Sequence, residues 1–432
     1  MRMQDTVTIT PGIARGQVVI PPSKSIAHRA LICAALAGEG QASTLCRMPY
    51  NEDIDATMDC LRALGVRMTE TREPSGDTRQ VVVYGCGGQW TKEGEPLPCR
   101  ESGSTLRFML PLCLMSDAPR TLLGSQKLLS RPLDDYRALL SGRGYTRIEG
   151  GICLGGGAAV EGGTFSLTGK SSSQFITGLL FVLPLLGQDS VIELSAPPES
   201  RSYIDMTISV LARFGVKAAW QSDTRLCVPG SQAYLAADMS IDGDASGAAF
   251  FHALGVIRAQ NSVDVVCPVS EDVKQGDAIC PELLATMTAA TPGDPPVISL
   301  ADCPDLGPML FCAAAALQGA VFTHTDRLRL KESDRVAAMV QELEAFGAIC
   351  TVCDGIDGGT VTIRPPAGGL HAPQNPLHGH NDHRIVMSLS VLSACLEEPA
   401  SVTIDDAHAV KKSFPDFFAR LRALGVSASV NG

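Results

Sequence analysis

The sequence predicts an α/β protein of two domains, each built from three copies of a unit of roughly 70 residues. Two observations support this fold class. The chain has 432 residues, which is too long for one ordinary core. Two kinds of helix also recur along it, with short strands between them. Hydrophobic residues make up 45% of the chain, a composition typical of a globular protein with well-buried cores.

The first kind of helix is apolar on nearly every side and opens on small polar residues. A helix without a polar face must be enclosed by other structure, so we expect these helices to form the interior of the domains. The six copies are predicted to begin at Ser23, Ser102, Ser171, Asp244, Asp305 and Asn381.

The second kind of helix is amphipathic and ends on a glycine, which is predicted to stop the helix before a short strand. Segments 61–66 and 421–426 are identical (LRALGV), and segments 211–216 and 343–348 are close variants. Within the last of these helices, Val336, Val340 and Leu343 lie on one apolar stripe. The spacing of the glycines predicts a degenerate copy at 283–287. A solenoid is the alternative architecture, but solenoid repeats usually run 20–50 residues.

Charge and composition exclude several classes of protein. A net charge of −11 argues against binding to nucleic acid. The most apolar stretch, 175–187, is too short to span a bilayer, and residues 1–12 contain no secretory signal. The 15 cysteines lie mostly in apolar runs, which favours reduced thiols in a cytoplasmic protein. The one Cys-x-x-Cys pair, at 350–353, has no second pair nearby, so a zinc site is the weaker alternative.

The first turns of the apolar helices carry many of the polar and cationic residues. Lys24 and Arg29 lie in the first of these helices, Ser172 opens the third, and His383 and Arg384 open the sixth. A helix N-terminus attracts anions through its free N–H groups and its dipole. Simple capping is the alternative for any one of these positions, but the six together predict the binding of strongly anionic ligands.

Other cations stand away from these helices. Lys331 and Arg335 are four residues apart, and we predict that they open an amphipathic helix, where positive charge opposes the helix dipole. An unfavourable local choice of this kind is more readily explained by function. Arg131 precedes Pro132, and Lys412 opens the segment 412–415. The chain is predicted to pass between domains near Pro21–Pro22 and at 242–244.

Six motifs resemble the 3-phosphoshikimate 1-carboxyvinyltransferase (EPSP synthase) family, and they occur in the family's order. They are PPSKSIAHR at 21–29, SSSQF at 171–175, SRSYID at 200–205, LKESDR at 330–335, NDHR at 381–384 and KSFP at 412–415. The resemblance runs from about residue 10 to the C-terminus. It implies a two-domain inside-out α/β barrel of six units, with a discontinuous first domain at 1–22 and 243–432 and a second domain at 23–242.

The resemblance implies transfer of the enolpyruvyl group of phosphoenolpyruvate to the 5-hydroxyl of shikimate 3-phosphate, on the route to chorismate and the aromatic amino acids. The hydroxyl would add to C2 of phosphoenolpyruvate, and the tetrahedral intermediate would then lose phosphate. This chemistry needs no hydride and no electron sink, so we expect no cofactor and no metal. The expected partners are these two small molecules, without nucleic acid or membrane, and we expect a monomer.

The same resemblance implies the residues of the site. Those that would bind shikimate 3-phosphate are Lys24, Ser25, Arg29, Ser172, Ser173, Gln174, Ser200, Tyr203, Asp305 and Lys331. Those that would bind phosphoenolpyruvate are Lys24, Gly103, Arg131, Gln174, Arg335, Arg384 and Lys412. Asp305 would accept the proton of the 5-hydroxyl, and Glu332 would donate a proton to C3, with Lys24 and His383 alongside. The first domain would carry the phosphoenolpyruvate-side cations and the acid–base groups, and the second domain would carry most shikimate 3-phosphate contacts.

Four positions depart from the pattern of the family. Asparagine is common where this chain has Glu101, Arg327 and His28, and threonine is common where it has Ser104. None of these departures removes a catalytic group. The resemblance also implies that glyphosate, the family's inhibitor, occupies the phosphoenolpyruvate site against Gly103.

Two other functions fit the same scaffold. One is the sister enolpyruvyl transferase that acts on UDP-N-acetylglucosamine, but its pattern has asparagine after the first lysine, where this chain has Ser25. That pattern also usually includes a cysteine before an Arg-Pro pair, and the segment 125–132 contains none. The other is a non-catalytic protein that binds phosphorylated metabolites, which would be expected to lose Asp305, Glu332 or Lys24.

Overall fold

The structure, a computed structural model, describes residues 5–74, 76–90, 94–115, 118–131, 133, 136, 144–154, 160–168, 172–270, 272–291, 293–355 and 358–431. The predicted helix start at Ser171 and the proline of the Arg131–Pro132 pair lie outside these residues. The chain divides into two compact units. Unit one is Met1–Pro21, Gly243–Pro268 and Gly276–Gly432, and unit two is Pro22–Asp242 and Val269–Gln275.

The segment Val269–Gln275 belongs to unit two, whereas the sequence assigned residues 243–432 to one domain. Its side chains explain this placement. Ser270 donates a hydrogen bond of 2.8 Å to Asp242, and Val273 is buried in the core of unit two. At the two places where the chain passes between the units, Asp244 N donates a hydrogen bond of 2.9 Å to Pro21 O, and both residues belong to unit one.

The described helices are α1 (Lys24–Leu36), α2 (Glu52–Ala63), α3 (Gly103–Cys113), α4 (Gln126–Leu129), α5 (Ser173–Val182), α6 (Arg201–Arg213), α7 (Ala245–Ile257), α8 (Cys280–Ala289), α9 (Gly307–Ala316), α10 (Arg335–Ala345), α11 (His383–Ala394) and α12 (Phe417–Ala423). The strands are β1 (Thr6–Thr10), β2 (Arg15–Val19), β3 (Ala42–Pro49), β4 (Arg67–Arg72), β5 (Thr78–Tyr84), β6 (Leu97–Pro98), β7 (Arg120–Leu123), β8 (Thr146–Ile148), β9 (Gly151–Leu154), β10 (Thr164–Leu167), β11 (Ser190–Leu194), β12 (Ala219–Ser222), β13 (Arg225–Val228), β14 (Met239–Ser240), β15 (Ser262–Val266), β16 (Val297–Ser299), β17 (Ala320–Thr323), β18 (Ile349–Cys353), β19 (Thr360–Arg364), β20 (Val402–Ile404) and β21 (Ser427–Asn431).

The six apolar helices lie inside the units, as predicted: α1, α3 and α5 in unit two, and α7, α9 and α11 in unit one. Every residue of α11 is buried. Ser23, Ser102 and Asp244 cap their helices as predicted, because each side chain accepts a hydrogen bond from a backbone N–H of the first turn. The fifth helix differs from the prediction. It begins at Gly307 after a short 3-10 turn, Pro304–Leu306, so Asp305 is not its cap.

The amphipathic helices α2, α6, α10 and α12 end on the predicted glycines. Gly65, Gly215, Gly347 and Gly425 have φ values of 100°, 78°, 89° and 94°, in the left-handed region that favours glycine. After each glycine, the next backbone N–H bonds back to a carbonyl in the last turn, as Val66 N does to Leu61 O at 3.0 Å. This is the Schellman arrangement. The degenerate copy is also confirmed as a helix, α8, which ends at Ala289 without a glycine.

The strand order repeats as clearly as the helices do. In unit two, the sheets β14-β3-β5-β4, β6-β7-β9-β8 and β10-β11-β13-β12 each join one parallel pair to two antiparallel neighbours. In unit one, β16-β17-β19-β18 has the same order. The sheet β20-β1-β21, extended by a parallel bridge between Leu377 and Ile404, repeats it again. The N-terminal strand β1 therefore completes the sheet of the last of the six repeats.

Each unit has its own hydrophobic core. The cysteines are free thiols, most of them buried or half-buried, and Cys353 is exposed. Burial raises the pKa of Cys113 to about 12, so this thiol is not a reactive thiolate at neutral pH. No helix in the described part of the chain combines the length and apolar character needed to cross a membrane.

Candidate active site

In unit one, three cations converge on the carboxylate of Asp305. Arg335 Nη1 lies 2.9 Å and Lys331 Nζ 3.1 Å from Asp305 Oδ1, and Arg384 Nη2 lies 3.3 Å from Oδ2. Arg384 Nη1 also donates to the backbone carbonyl of Asp305 at 2.9 Å. Together with Glu332, these residues form what we call the Asp305 cluster. The 3-10 turn before α9 places Asp305 beside the first residues of α10 and α11.

Arg335 is the most deeply enclosed cation of the cluster, with a side chain only 1% exposed. It is the first residue of α10, and its guanidinium also donates to Glu332 Oε2 at 2.6 Å and to Asp382 Oδ2 at 2.8 Å. Burial alone would lower the pKa of Arg335, but Asp382 and the other carboxylates raise it above its usual value. The guanidinium is therefore permanently charged and fixes three carboxylates in place.

The charge balance of the cluster keeps Asp305 ionised. Burial would raise the pKa of Asp305, but Arg384, followed by Lys331 and Arg335, holds it well below its usual value. The pKa of Lys331 is lowered, because burial outweighs the attraction of Asp305. Asp305 is thus a carboxylate whose basicity is suppressed as long as it keeps these cations.

The prediction that Lys331 and Arg335 share one turn of a helix is wrong. Lys331 follows the 3-10 turn Asp326–Leu330, Asp334 caps α10, and the helix begins only at Arg335. The two cations nevertheless meet, because both reach Asp305. The unfavourable effect of cations on the helix dipole therefore applies to Arg335 alone, and Asp382 compensates for it.

Two further predicted residues of unit one lie beside the cluster. His383 is the first residue of α11 and is buried, with Nδ1 3.9 Å from Asp382 Oδ1. Lys412 ends the 3-10 helix Ala407–Lys412, and its Nζ donates to Asn381 O at 3.0 Å and to Asn381 Oδ1 at 2.9 Å. The motif at 381–384 thus contributes four consecutive residues around this set of charges.

In unit two, Lys24 opens α1 and pairs with Asp53 of α2 across 2.8 Å. The two side chains are only about one seventh exposed, at 15% and 14%. Ser25 follows on α1, and its carbonyl accepts a hydrogen bond of 2.7 Å from Arg29. Asp53 thus fixes the orientation of a lysine that the sequence assigns to both substrates.

The N-terminus of α3 carries a second group of predicted residues in unit two. A Cβ atom on Gly103 would lie 2.7 Å from Arg131 Nη1 and 3.2 Å from Arg107 Nη1, so two guanidinium groups approach this glycine. Arg107 also donates to Gln174 Oε1 at 2.6 Å, and Gln174 Nε2 donates to Ser104 at 2.9 Å. The residues predicted for phosphoenolpyruvate in this unit, except Lys24, are therefore close neighbours.

Arg29 is almost completely buried in unit two. It donates to Thr207 Oγ1 at 2.8 Å and to Tyr203 O at 3.1 Å, both on α6, and to Thr177 Oγ1 of α5 at 3.4 Å. Burial lowers the pKa of Arg29 to about 10, so it stays protonated at neutral pH. Its hydrogen bonds tie α1 to α5 and α6, a structural role that accompanies the predicted contact with shikimate 3-phosphate.

The remaining predicted residues surround the starts of α5 and α6. Ser172 caps α5, and Ser173 is its first, buried residue. Ser200 precedes α6 with a left-handed φ of 57°, a conformation that is uncommon outside glycine and often marks functional sites. Tyr203 lies in the first turn of α6, where its N–H bonds to Ser200 O at 3.1 Å.

The residues that the sequence assigned to the site do not include four side chains that orient the predicted ones: Asp53, Arg107, Asn381 and Asp382. Arg107 lies four residues after Gly103 on α3, so helical spacing would have pointed to it. Asn381 and Asp382 belong to a motif that had already been singled out, but only its histidine and arginine were selected. Asp53 has no comparable signal, because its partner Lys24 lies on another helix.

Carboxylates reduce the positive potential that we expected at the N-termini of the apolar helices in unit one. Asp244 caps α7, Asp305 precedes α9 and Asp382 caps α11, so a carboxylate accompanies each apolar helix of this unit. In unit two, the corresponding caps of α1, α3 and α5 are the neutral residues Ser23, Ser102 and Ser172. The N-termini of unit two thus keep more of the potential that attracts anions.

Comparison with known proteins identifies the family. The profile described as EPSP synthase (3-phosphoshikimate 1-carboxyvinyltransferase) matches residues 10–421. A Clostridium kluyveri protein named 3-phosphoshikimate 1-carboxyvinyltransferase is 35% identical over 442 residues, which cover 97% of both sequences. One of the same name from Clostridium perfringens is also 35% identical, over 97% of this chain and 98% of that protein. The chain belongs to the EPSP synthase family.

Solved structures support the fold. An EPSP synthase from Acinetobacter baumannii matches with a TM-score of 0.75, covering 99% of this chain and 100% of that one, at 23% sequence identity. At this level of identity, the match establishes the two-domain α/β architecture alone. The expectation of this fold class is confirmed.

Proposed function

We propose that the chain transfers the enolpyruvyl group of phosphoenolpyruvate to the 5-hydroxyl of shikimate 3-phosphate and releases inorganic phosphate, in the biosynthesis of aromatic amino acids. Family membership over nearly the whole chain supports this proposal. The hydroxyl oxygen bonds to C2 of phosphoenolpyruvate while C3 takes a proton. The intermediate then loses a proton from C3, now a methyl group, as the C2–O bond to phosphate breaks, which restores the double bond.

The single observation that best supports this chemistry is the Asp305 cluster. Lys331, Arg335 and Arg384 all contact one carboxylate, and the sequence assigns these cations to two different anionic substrates. Arginine binds phosphate and carboxylate groups with paired hydrogen bonds. A preorganised set of cations is what a reaction between two multiply charged anions requires.

The cluster also suggests how Asp305 becomes a base. With its cations in place, the pKa of Asp305 is held well below its usual value, and it would be a weak proton acceptor. Arriving phosphate and carboxylate groups would compete for Arg384 and Lys331. As these cations turn to substrate, the pKa of Asp305 would rise, and the carboxylate would gain basicity only when both substrates are bound.

Glu332 is the proposed proton donor to C3. Arg335 Nη2 donates to Glu332 Oε2 at 2.6 Å, which holds this carboxyl group in place beside Asp305. Lys24, with its ammonium held by Asp53 at 2.8 Å, is the proposed second acid–base group. His383, buried next to Asp382, is proposed to assist them.

An assay of phosphate release tests the proposal. The purified protein should release phosphate with phosphoenolpyruvate and shikimate 3-phosphate together, and should release none with either alone. UDP-N-acetylglucosamine in place of shikimate 3-phosphate should give no release. The Asp305→Asn variant should lose activity by roughly 10²–10⁴-fold, while the matched control Asp302→Asn, at an exposed position nearby, should keep it. Binding of both substrates without phosphate release would favour the non-catalytic alternative.

Cellular location and assembly are further parts of the proposal. The free cysteines favour a reducing compartment, and hence the cytoplasm. We propose that the protein works as a monomer without a cofactor. Light scattering coupled to gel filtration would measure the mass in solution, and a dimer would contradict this part of the proposal.

A further inference from the structure

The segment 377–382, which leads into α11, is held by carboxylates from other parts of unit one. Three of its backbone N–H groups donate to acidic side chains instead of to a sheet or helix. The pairs are His378 N to Glu342 Oε2 at 3.1 Å, Gly379 N to Asp405 Oδ1 at 2.6 Å, and Asn381 N to Asp406 Oδ2 at 2.6 Å. Hydrogen bonds from backbone N–H groups to ionised acceptors are stronger than neutral ones, so this segment is firmly anchored.

The anchored segment has an unusual backbone. His380 and Asn381 have φ values of 54° and 48°, and two consecutive non-glycine residues in the left-handed region are uncommon. Such a conformation persists when the surrounding contacts impose it. Glu342 contacts this segment at two points, because its Oε2 accepts from His378 N and its other oxygen, Oε1, lies 3.0 Å from His380 Nε2.

Glu342 is itself an unusual residue for its position. It lies on α10, a helix whose outer face meets solvent, yet it is only 3% exposed. A buried carboxylate is costly unless it is fully hydrogen-bonded, and Glu342 meets this condition with His378, His380 and a 2.9 Å bond from Gln341. The buried charge of Glu342 is therefore balanced by hydrogen bonds, two of which come from the segment 377–382.

Glu342 and Arg335 connect α10 to the same segment at two points. They lie seven residues apart, or about two turns, so both side chains extend from one side of the helix. Arg335 binds Asp382 at 2.8 Å, while Glu342 binds the two histidines that precede it. Between these points, Asn381 offers both of its oxygens to Lys412.

We propose that Glu342 is a positioning residue for phosphoenolpyruvate binding: it holds residues 378–381 in the left-handed turn that places Asn381 against Lys412 and Asp382 against Arg335. This proposal rests on the proposed function, because Lys412 and Arg335 are two of the cations assigned to phosphoenolpyruvate. Loss of Glu342 would leave these cations present but misplaced. The main effect should therefore fall on the binding of phosphoenolpyruvate, with less effect on shikimate 3-phosphate.

The test compares Glu342→Gln with Glu344→Gln, a matched control at an exposed position of the same helix. The introduced amide would have one acceptor oxygen, where the carboxylate of Glu342 uses two. In Glu342→Gln, hydrogen–deuterium exchange of the backbone amides at 378–381 should accelerate by about tenfold or more. The KM for phosphoenolpyruvate should rise by about fivefold or more, and the KM for shikimate 3-phosphate should stay within about twofold. Glu344→Gln should match the wild-type protein in all three measurements.

A second variant covers the case in which Glu342→Gln does not fold. His380→Asn removes the ring contact at a side chain that is 25% exposed, and asparagine tolerates the left-handed region. It should raise the same KM in the same direction. Unchanged exchange at 378–381, or equal changes in the two KM values, would overturn the positioning role. An inactive wild-type protein would instead overturn the proposed function, so the two failures are distinguishable.

Discussion

Arg335 and Asp382 form an ion pair that is almost entirely removed from solvent. The Nε–Oδ2 distance is 2.8 Å, and the two side chains are 1% and 0% exposed. Asp382 also caps α11 through a 2.9 Å bond from Arg384 N. Burial would raise the pKa of Asp382, but Arg335 brings it below its usual value. The pair thus links the starts of α10 and α11 within unit one.

Removing one partner of this pair should destabilise unit one. In Arg335→Ala, Asp382 and Glu332 lose their main cation, and an uncompensated buried charge costs roughly 3–5 kcal/mol. The free energy of unfolding, measured by urea denaturation, should fall by that amount. Arg329→Ala is the control, because Arg329 pairs with Asp334 and Asp354, whose side chains are 41% and 88% exposed, and exposed pairs contribute about 0–1 kcal/mol. Equal losses in the two variants would contradict the argument.

Arg384 should matter more for substrate than for folding. It contacts Asp305 twice, but Asp305 keeps Lys331 and Arg335 when Arg384 is gone. Arg384→Ala should weaken the binding of phosphoenolpyruvate by roughly 2–5 kcal/mol, measured as a rise in its KM. Calorimetry should still detect binding of shikimate 3-phosphate. Arg420→Ala, at a surface ion pair with Asp416, should leave both unchanged. Wild-type kinetics in Arg384→Ala would remove this residue from the site.

Local patterns in the sequence predicted much of the fold. The apolar helices and the glycine stops were predictable because each depends on residues a few positions apart, as in Leu61 to Val66. The position of β1 was not predictable in this way, because its partners β20 and β21 lie at the other end of the chain. Pairing over such separations has no local periodicity.

The candidate site was likewise predictable only in part. Motif residues such as Arg335 and Arg384 were predicted from their resemblance to a family. Asp382, which binds Arg335, and Glu342, which binds the segment before Asp382, were not selected. Glu342 lies on an amphipathic helix, where the usual interpretation of a glutamate is a solvated face. Only the tertiary structure reveals that segment 377–382 covers it.

The approach of Arg131 to Gly103 predicts the effect of a methyl group there. In Gly103→Ala, the new Cβ would lie 2.7 Å from Arg131 Nη1, so the guanidinium must move. Because this is the end of a flexible side chain, the protein should fold normally. The KM for phosphoenolpyruvate should rise, and inhibition by glyphosate, which the resemblance places against Gly103, should weaken.

The control for this substitution is Gly187→Ala, also in unit two, where a Cβ would meet nothing within 4 Å. Its kinetics and its inhibition should equal those of the wild-type protein. Steady-state assays with varied phosphoenolpyruvate and glyphosate measure both effects. If Gly103→Ala retained the wild-type KM and the wild-type inhibition, Arg131 would not be a ligand-binding cation at this place.

His28 predicts a dependence of stability on pH. Its Nδ1 lies 2.8 Å from Thr57 Oγ1, which lies 2.8 Å from Thr105 Oγ1, so the ring joins α1 to a chain of hydroxyl groups on α2 and α3. Burial, and then the charges of Lys24 and Arg29, lower the pKa of His28 well below its usual value. The folded protein therefore keeps this imidazole neutral at pH values where the unfolded chain protonates it.

The sign of the effect follows from proton binding. Below about pH 6.5, the usual pKa of histidine, the unfolded chain binds one more proton at His28 than the folded protein does. The free energy of unfolding should then fall by up to about 1.4 kcal/mol per pH unit as the pH decreases toward the lowered pKa. His378, whose pKa is raised by its hydrogen bond to Asp405, acts in the opposite direction, so the difference between variants is the informative quantity.

Urea denaturation of the wild-type protein and of His28→Gln between pH 7.5 and 5.5 isolates this contribution. Glutamine keeps a polar side chain near Thr57 but does not titrate, so the variant should be less stable at pH 7.5 and should lose less stability on acidification. His408→Gln, at an exposed histidine of unit one, should follow the wild-type curve. Parallel curves for His28→Gln and the wild-type protein would mean that His28 titrates alike in the folded and unfolded states, and that burial does not keep it neutral.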